Sequence, residues 1–190
     1  MSGTERPRLV VGMSGSSAPQ LGIALLRALH DLGSVETHLV VSNGAVQTLK
    51  LEADTDVGSL ATLADAVYDN GDLAAAISSG SFRTMGMAVI PCSMRTLAAI
   101  ATGNTGDLLT RAADVTLKER RRLVLVPRET PLNLIHIRNM ETVTLAGATV
   151  LPPMPAFYHR PRSIDDLVAH IAGKVLDQFG IEHDLFTRWS

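Results

Sequence analysis

Two patterns of apolar residues alternate along this chain: short continuous apolar runs, and longer stretches in which apolar residues return every three to four positions. The runs at 9–12, 37–41, 87–90, 123–126 and 149–151 are too short for helices and too uniformly apolar for half-exposed strands. They predict strands buried on both faces. Between the first two, Leu21, Ala24, Leu25, Ala28, Leu29 and Leu32 recur at helical spacing and stop at Gly33, a residue suited to a left-handed C-cap. Further helices are predicted from Ser42 to about Glu52, over 97–102, from Asp107 to about Arg120, over 131–146, and from Ser163 to about Phe179 with Gly180 as cap. The stretch 54–81 is less regular. There, 59–68 predicts a helix, 74–77 a short strand, and Ser78-Ser79-Gly80-Ser81 a polar loop, while Pro91 is expected to stop the third strand.

Strands that alternate with helical crossovers of this length imply parallel pairing, right-handed connections and helices on both faces. The predicted fold is α/β, a flavodoxin-like or Rossmann-like three-layer sandwich with a mainly parallel sheet. Its 190 residues fit a single domain, 1–190, with 151–190 as a C-terminal arm and helix. Ligands of such sheets bind at the carboxyl ends of the strands. The polar loops are expected there: Gly12-Met13-Ser14-Gly15-Ser16-Ser17, Ser42-Asn43-Gly44, Ser78 to Ser81, Cys92-Ser93-Met94-Arg95-Thr96 and Pro127-Arg128-Glu129. A strand, a small-residue turn and a helix start gather backbone N–H groups at one point, which suits a phosphate. The spacing of the first loop is neither GxGxxG nor a P-loop, and a mononucleotide such as a flavin phosphate fits it better. A turn that needs glycine only to close is the competing explanation.

Composition narrows the function. Apolar residues make up 46% of the chain and aromatic ones 4%, so the core is aliphatic, as in helices packed closely on a parallel sheet. With 17 basic and 19 acidic side chains and no basic stripe, a nucleic-acid partner is not expected. Cys92 is the only cysteine, which excludes an internal disulfide and suits a reducing compartment. No apolar run approaches the roughly 18 residues of a membrane span, so a cytoplasmic protein is expected. The six histidines lack paired ligand spacing, so no metal is expected, and His136 reads as a helix residue.

Several side chains keep two readings. Cys92 is either a nucleophile at a helix start or a small residue packed against a flat ligand. Glu52 is either a solvated carboxylate or a functional one. Residues 118–122 read as a solvated helix end, whereas Arg128-Glu129 falls at a strand's carboxyl end. Ser17 lacks the Gly-x-Ser-x-Gly elbow of a hydrolase. The stiff arm Pro152-Pro153-Met154-Pro155-Ala156-Phe157-Tyr158 packs either on a neighbouring subunit or back on its own sheet.

Six motifs, in order, resemble the flavin prenyltransferase (UbiX) family over nearly the whole chain. They are Gly15-Ser16-Ser17, Ser79-Gly80-Ser81-Phe82, Pro91-Cys92-Ser93-Met94, Arg111 to Val115 with Leu117 to Arg120, Pro127-Arg128-Glu129, and Pro155-Ala156-Phe157-Tyr158. The resemblance implies transfer of a dimethylallyl group from dimethylallyl phosphate to N5 and C6 of reduced FMN, giving prenylated FMN for a UbiD-type decarboxylase. It implies FMN contacts at Gly15, Ser16, Ser17, Ser42, Ser93, Met94, Arg95, Thr96, Arg111 and Arg128. It places Ser79, Lys118, Arg128, Glu129, Tyr158 and Lys174 around the allyl phosphate, and gives Ser17 and Glu52 catalytic roles at N5 and in proton transfer. It also implies a homododecamer. The chain departs from common members at Leu73, where some carry tryptophan, at Lys174, where others carry arginine, and at Ser16-Ser17-Ala18-Pro19, which replaces Ala-Ser-Gly-Ala. The rival readings are a flavin-dependent cysteine decarboxylase of the same fold and a non-catalytic FMN carrier.

Overall fold

The computed structural model describes residues 6–189. Six strands form one parallel sheet in the order β3-β2-β1-β4-β5-β6: β1 Arg8–Met13, β2 Glu36–Val41, β3 Ala66–Tyr68, β4 Gly86–Cys92, β5 Arg122–Pro127 and β6 Thr149–Val150. The chain reverses direction across the sheet between β1 and β4, and that switch point is where a crevice opens at the carboxyl ends. Alternate strand residues feed two cores. Leu9, Val11, Met13, Leu39 and Ile90 pack with α1 (Gln20–Leu32) and α7 (Ile164–Gln178). Val10, Val40, Met87 and Val89 pack on the opposite face with α4 (Met94–Ala101), α5 (Leu108–Lys118) and Val143 of α6 (Leu134–Leu145). The strands are therefore buried on both faces, which is why their sequences are continuous apolar runs. Among the described residues no helix is long and apolar enough to cross a membrane.

Helix starts follow their caps. Ser42 caps α2 (Asn43–Glu52), Ser93 caps α4, and capping boxes close α5 at Asp107 and Thr110, α6 at Asn133 and His136, and α7 at Ser163 and Asp166. His136 is thus part of a cap, and α6 begins at Leu134 because Asn133 precedes it, later than the 131 expected from spacing. Likewise, α4 begins at Met94, three residues before the apolar pattern that predicted it.

The stretch 54–81 differs most from expectation. Residues 59–68 are not one helix: α3 spans Val57–Ala61 and then gives way to β3. Asp65 accepts the Thr37 N–H at 2.8 Å and donates its own N–H to the Thr37 carbonyl at 3.0 Å, which draws the following residues to the sheet edge. Residues 74–77 form no strand. Asp69 and Asp72 take the N–H groups of Gly71 and Ala74 into local turns, leading to a 3-10 turn at Ala76–Ser78. Pro91 does not stop β4, which runs on to Cys92. The proline, lacking an N–H, sits at a break in the β4–β5 register between Val89 and Cys92.

Two features have direct consequences for stability. Ala18 adopts φ of 68°, a left-handed conformation that costs a residue with a Cβ about 1 kcal/mol, and α1 starts only after it. Ala18→Gly is expected to raise the melting temperature by a few degrees in differential scanning calorimetry. At the other end, Asp177 of α7 accepts from Arg188 at 2.7 Å, His183 at 3.2 Å and Lys174 at 3.3 Å, fastening the last described residues to the helix. Burial alone would raise the Asp177 carboxyl, but hydrogen bonds and charge from Arg188 and Lys174 outweigh it and hold it at about 2, below its ordinary 3.8. A depressed carboxylate contributes stability that is full above the unfolded value and is lost as pH falls through the folded one. Asp177→Asn is expected to cost about 2 kcal/mol in urea unfolding at pH 7, with the difference from wild type shrinking between about pH 4 and pH 2.

Candidate functional site at the carboxyl ends of the strands

The site is built on hydroxyl groups that tie neighbouring strand ends together. Ser14, fully buried, donates its Oγ hydrogen to the Pro91 carbonyl at 3.2 Å and accepts the Ser93 N–H at 2.7 Å, so β1 and β4 end in fixed relation. Ser16 donates to the Arg128 carbonyl at 2.8 Å, and the Arg128 N–H meets the Cys92 carbonyl at 3.2 Å, which adds the end of β5. On the other side, a Cβ on Gly15 would stand 2.8 Å from the Gly44 backbone. The β1 loop and the start of α2 therefore touch through two glycines, and Gly15 is demanded by packing. Ser42 and Ser93 spend their hydroxyls on caps, accepting the Ala45 and Thr96 N–H groups at 3.2 Å each. The first-turn N–H groups of α2 and α4 follow the ends of β2 and β4, on either side of the β1 loop, where their partial positive charge favours an anion.

The Ser17 Oγ donates to Glu52 Oε2 at 2.8 Å, and the same oxygen accepts the Ala18 N–H at 2.9 Å. Glu52, exposed at the end of α2, is thus held against Ser17. Next to the β5 end, Met94, Pro127, Arg128, Glu129, Leu132, Met140 and the arm residues Pro152 to Met154 line a cavity of about 220 Å³. Cys92 is no nucleophile: it is fully buried and burial pushes its thiol up to about 12.

Other residues implied by the resemblance lie elsewhere in the chain. The Ser78 to Phe82 loop does not sit at the carboxyl ends. It runs along α5 toward the amino ends of β4 and β5, held by Arg111 on the Ser78 carbonyl at 3.2 Å and by Arg121 on the Gly80 and Phe82 carbonyls at 2.6 and 2.8 Å. Ser79 bonds Ser81 at 2.9 Å, Arg111 pairs with Asp114 at 3.0 Å, and Lys118 pairs with Glu119 beside Gly80. Tyr158 and Lys174 belong to the opposite face of the sheet, with α7. There Tyr158 meets His170 Nε2 at 3.2 Å. One chain therefore brings together Gly15, Ser16, Ser17, Ser42, Glu52, Ser93, Met94, Thr96, Arg128 and Glu129. Ser79 with Lys118, and Tyr158 with Lys174, form two separate groups, and Arg95 is an exposed residue facing a different groove, toward Thr110. Two contributors carried no signal of their own, Arg121, lost within a charge run, and His170, one of six scattered histidines; Ser14 lay in the marked first loop, but its cross-tie to β4 was not readable there.

The arm of 152–158 does not fold back into the sheet. Met154 and Phe157 are 71% and 69% exposed, and α6 likewise presents Leu134, Ile135 and Ile137 to the surface with only Val143 buried. These apolar faces lie beside the Arg128-Glu129 cavity.

Comparison with known proteins agrees with this geometry. The flavoprotein family model matches residues 2–176. The flavin prenyltransferase UbiX of Escherichia coli strain K12 is 53% identical over 184 residues, covering 96% of this chain and 97% of the relative. A crystal structure of AnUbiX (PadA1) in complex with FMN and dimethylallyl pyrophosphate superposes with a TM-score of 0.96 at 53% identity, covering 98% of each chain. A dodecameric FMN-dependent UbiX-like decarboxylase from Escherichia coli O157:H7 superposes with a TM-score of 0.94 at the same identity, covering 96% of this chain and 99% of the other. The chain belongs to the flavoprotein family and, within it, to the UbiX-type flavin prenyltransferases.

Proposed function

We propose that the protein transfers a dimethylallyl group from dimethylallyl phosphate to reduced FMN, in the cytoplasm, and that the product serves a UbiD-type decarboxylase. The observation that carries this reading is the Ser17–Glu52 hydrogen bond, a carboxylate held on a hydroxyl at the rim of an anion-favouring crevice. The full-length likeness to flavin prenyltransferases supports it. The residues fit FMN: two helix N-termini and the Gly15-Ser16-Ser17 loop offer donors for a phosphate, and Met94, Pro127 and Met140 offer apolar surface to a flat ring beside the Arg128 cation. No metal takes part in this scheme.

Reduced FMN supplies the nucleophilic N5 and the C6 to which the allyl carbons bond. The chain's own residues handle charge and protons. Breaking the allylic C–O bond sends the electron pair to the departing phosphate, so fixed donors around that oxygen stabilise the step. Arg128, Lys118, Lys174, Tyr158 and Ser79 are the donors assigned to it, with Glu129 orienting its neighbours. Ser17 holds its hydroxyl near N5, and Glu52 relays the proton as the second bond forms, since the allyl double bond that is consumed must gain a proton at one carbon while the ring loses one at C6. Gly15, Ser16, Ser42, Ser93, Met94, Thr96 and Arg128 of one chain hold the flavin, and Arg95 and Arg111, which face elsewhere in the same chain, are assigned to it from a neighbouring subunit. Since the phosphate group is spread over three regions of one chain, the complete site needs neighbouring subunits. The exposed arm and the apolar face of α6 are the surfaces that would join them in a homododecamer like that of the relative.

Anaerobic incubation with reduced FMN and dimethylallyl phosphate, followed by mass spectrometry of the extracted flavin, is expected to show a flavin heavier by one dimethylallyl group. Unmodified flavin would leave the carrier or cysteine decarboxylase reading. In the same assay Glu52→Gln is expected to retain FMN but to lose on the order of a hundredfold in rate, because shape is kept and the proton-transfer group removed.

A further inference from the structure

Tyr158 is 41% exposed, yet its ring is held on several sides. His159 and Trp189 meet it edge-on at centroid distances of 5.5 and 5.8 Å, and its hydroxyl lies 3.2 Å from His170 Nε2. His170 itself is buried at 5% exposure, stacked on His159 at 4.9 Å with 5° between the rings, and covered by Phe186 at 4.7 Å. Its Nδ1 is buried with no hydrogen-bond partner, and the nitrogens of His159 above it have none either. The charged groups nearby are Lys174, one turn further along α7, and Asp177 beyond it. Burial, then His159 and Lys174, lower His170 below the usual histidine range, with Asp177 opposing them only in part, so the ring is neutral near pH 7.

A neutral imidazole carries one N–H, and the surroundings decide where. A hydrogen on Nδ1 would be a buried donor without an acceptor, whereas a bare Nδ1 leaves only a lone pair unmet, the cheaper of the two. The hydrogen therefore sits on Nε2 and points at the Tyr158 oxygen. With its oxygen already accepting, the tyrosine directs its own hydrogen outward, away from α7.

We infer that His170 is a positioning residue that fixes Tyr158 as a hydrogen-bond donor toward the phosphate of the allyl substrate, on the same side as the Lys174 ammonium. The inference rests on the proposed placement of Tyr158 at that phosphate. It goes beyond it by assigning a role to a side chain that never touches substrate and by specifying the direction of the bond.

The test combines a spectrum of the unaltered protein with three variants. Solid-state NMR of the histidine-labelled protein, with His170 assigned by its loss in His170→Gln, is expected to show the Nε2–H tautomer. An Nδ1–H tautomer overturns the inference whatever the variants do. His170→Leu is expected to raise KM for dimethylallyl phosphate on the order of tenfold and to weaken competitive inhibition by inorganic phosphate equally, with FMN affinity unchanged. His170→Gln, whose amide N–H still reaches the tyrosine oxygen, is expected to restore most of that loss. Tyr158→Phe should show at least the His170→Leu effect, and adding His170→Leu to it should bring no further loss. Unchanged donor dependence in Tyr158→Phe would remove Tyr158 from the phosphate, and the inference with it. A clear effect of Tyr158→Phe with none in His170→Leu, or a glutamine variant no better than leucine, would overturn the role of His170 while leaving Tyr158 in place.

Discussion

The arrangement depends on one buried hydroxyl. Ser14 closes β1 at the point where the strand order reverses, and its oxygen satisfies both the carbonyl of Pro91 and the N–H of Ser93. Pro91 sits at the break in the β4 ladder and Ser93 just past its end; the Ser14 N–H also reaches the Pro91 carbonyl at 3.1 Å, and the hydroxyl alone takes the Ser93 N–H. The serine fills that gap from across the switch point. From it follow the direction in which α4 leaves the sheet, the placement of Arg128 through Ser16, and the opening of the crevice in which helix N-termini converge. A parallel sheet offers a ligand site at its switch point by topology alone. Here the side chains that line it are registered to one another by hydrogen bonds rather than left to loop packing.

The chemistry assigned to the chain divides along the same geometry. Most groups assigned to the flavin lie at the strand ends with Ser17, which Glu52 meets from the end of α2, while the groups assigned to the leaving phosphate, Arg128 apart, come from α5, its flanking loop, α7 and the arm. Separation of that kind suits an enzyme whose second substrate is completed by assembly. In the proposed scheme the flavin is held mainly by one chain, and the groups assigned to the departing anion beyond Arg128 come from neighbours. The exposed apolar arm and α6 face are then surfaces that a lone chain leaves uncovered.

Much of the sheet was legible in the sequence because strands buried on both faces leave unbroken apolar runs, and because Ser42, Asp107 and Ser163 mark helix starts by a local physical mechanism, whereas the caps at Ser93 and Asn133 were overridden by apolar spacing. What was not legible is what depends on distant partners. The pairing of Asp65 with Thr37 turns a helical spacing into an edge strand, and the register break lets Pro91 stay inside one. The strand-end loops were identifiable as a phosphate site by their small residues, and the family motifs named most of the remaining candidates. Neither source pointed to Arg121 or His170, or to the cross-tie that Ser14 makes from within the first loop. Each acts through another residue, and a side chain whose work is to position its neighbour leaves no spacing of its own.

The claim that the cross-tie at Ser14 builds the flavin site is tested most directly by titrating FMN into wild type and Ser14→Ala while following flavin fluorescence, with circular dichroism on the same samples to confirm the fold. Removing the hydroxyl leaves the Ser93 N–H without its partner and the Pro91 carbonyl with the Ser14 N–H alone, at about 1 to 3 kcal/mol, and that cost falls on the geometry of the crevice. The expected result is a folded protein whose FMN dissociation constant has risen on the order of tenfold or more. A folded Ser14→Ala protein that binds FMN as tightly as wild type would contradict the account.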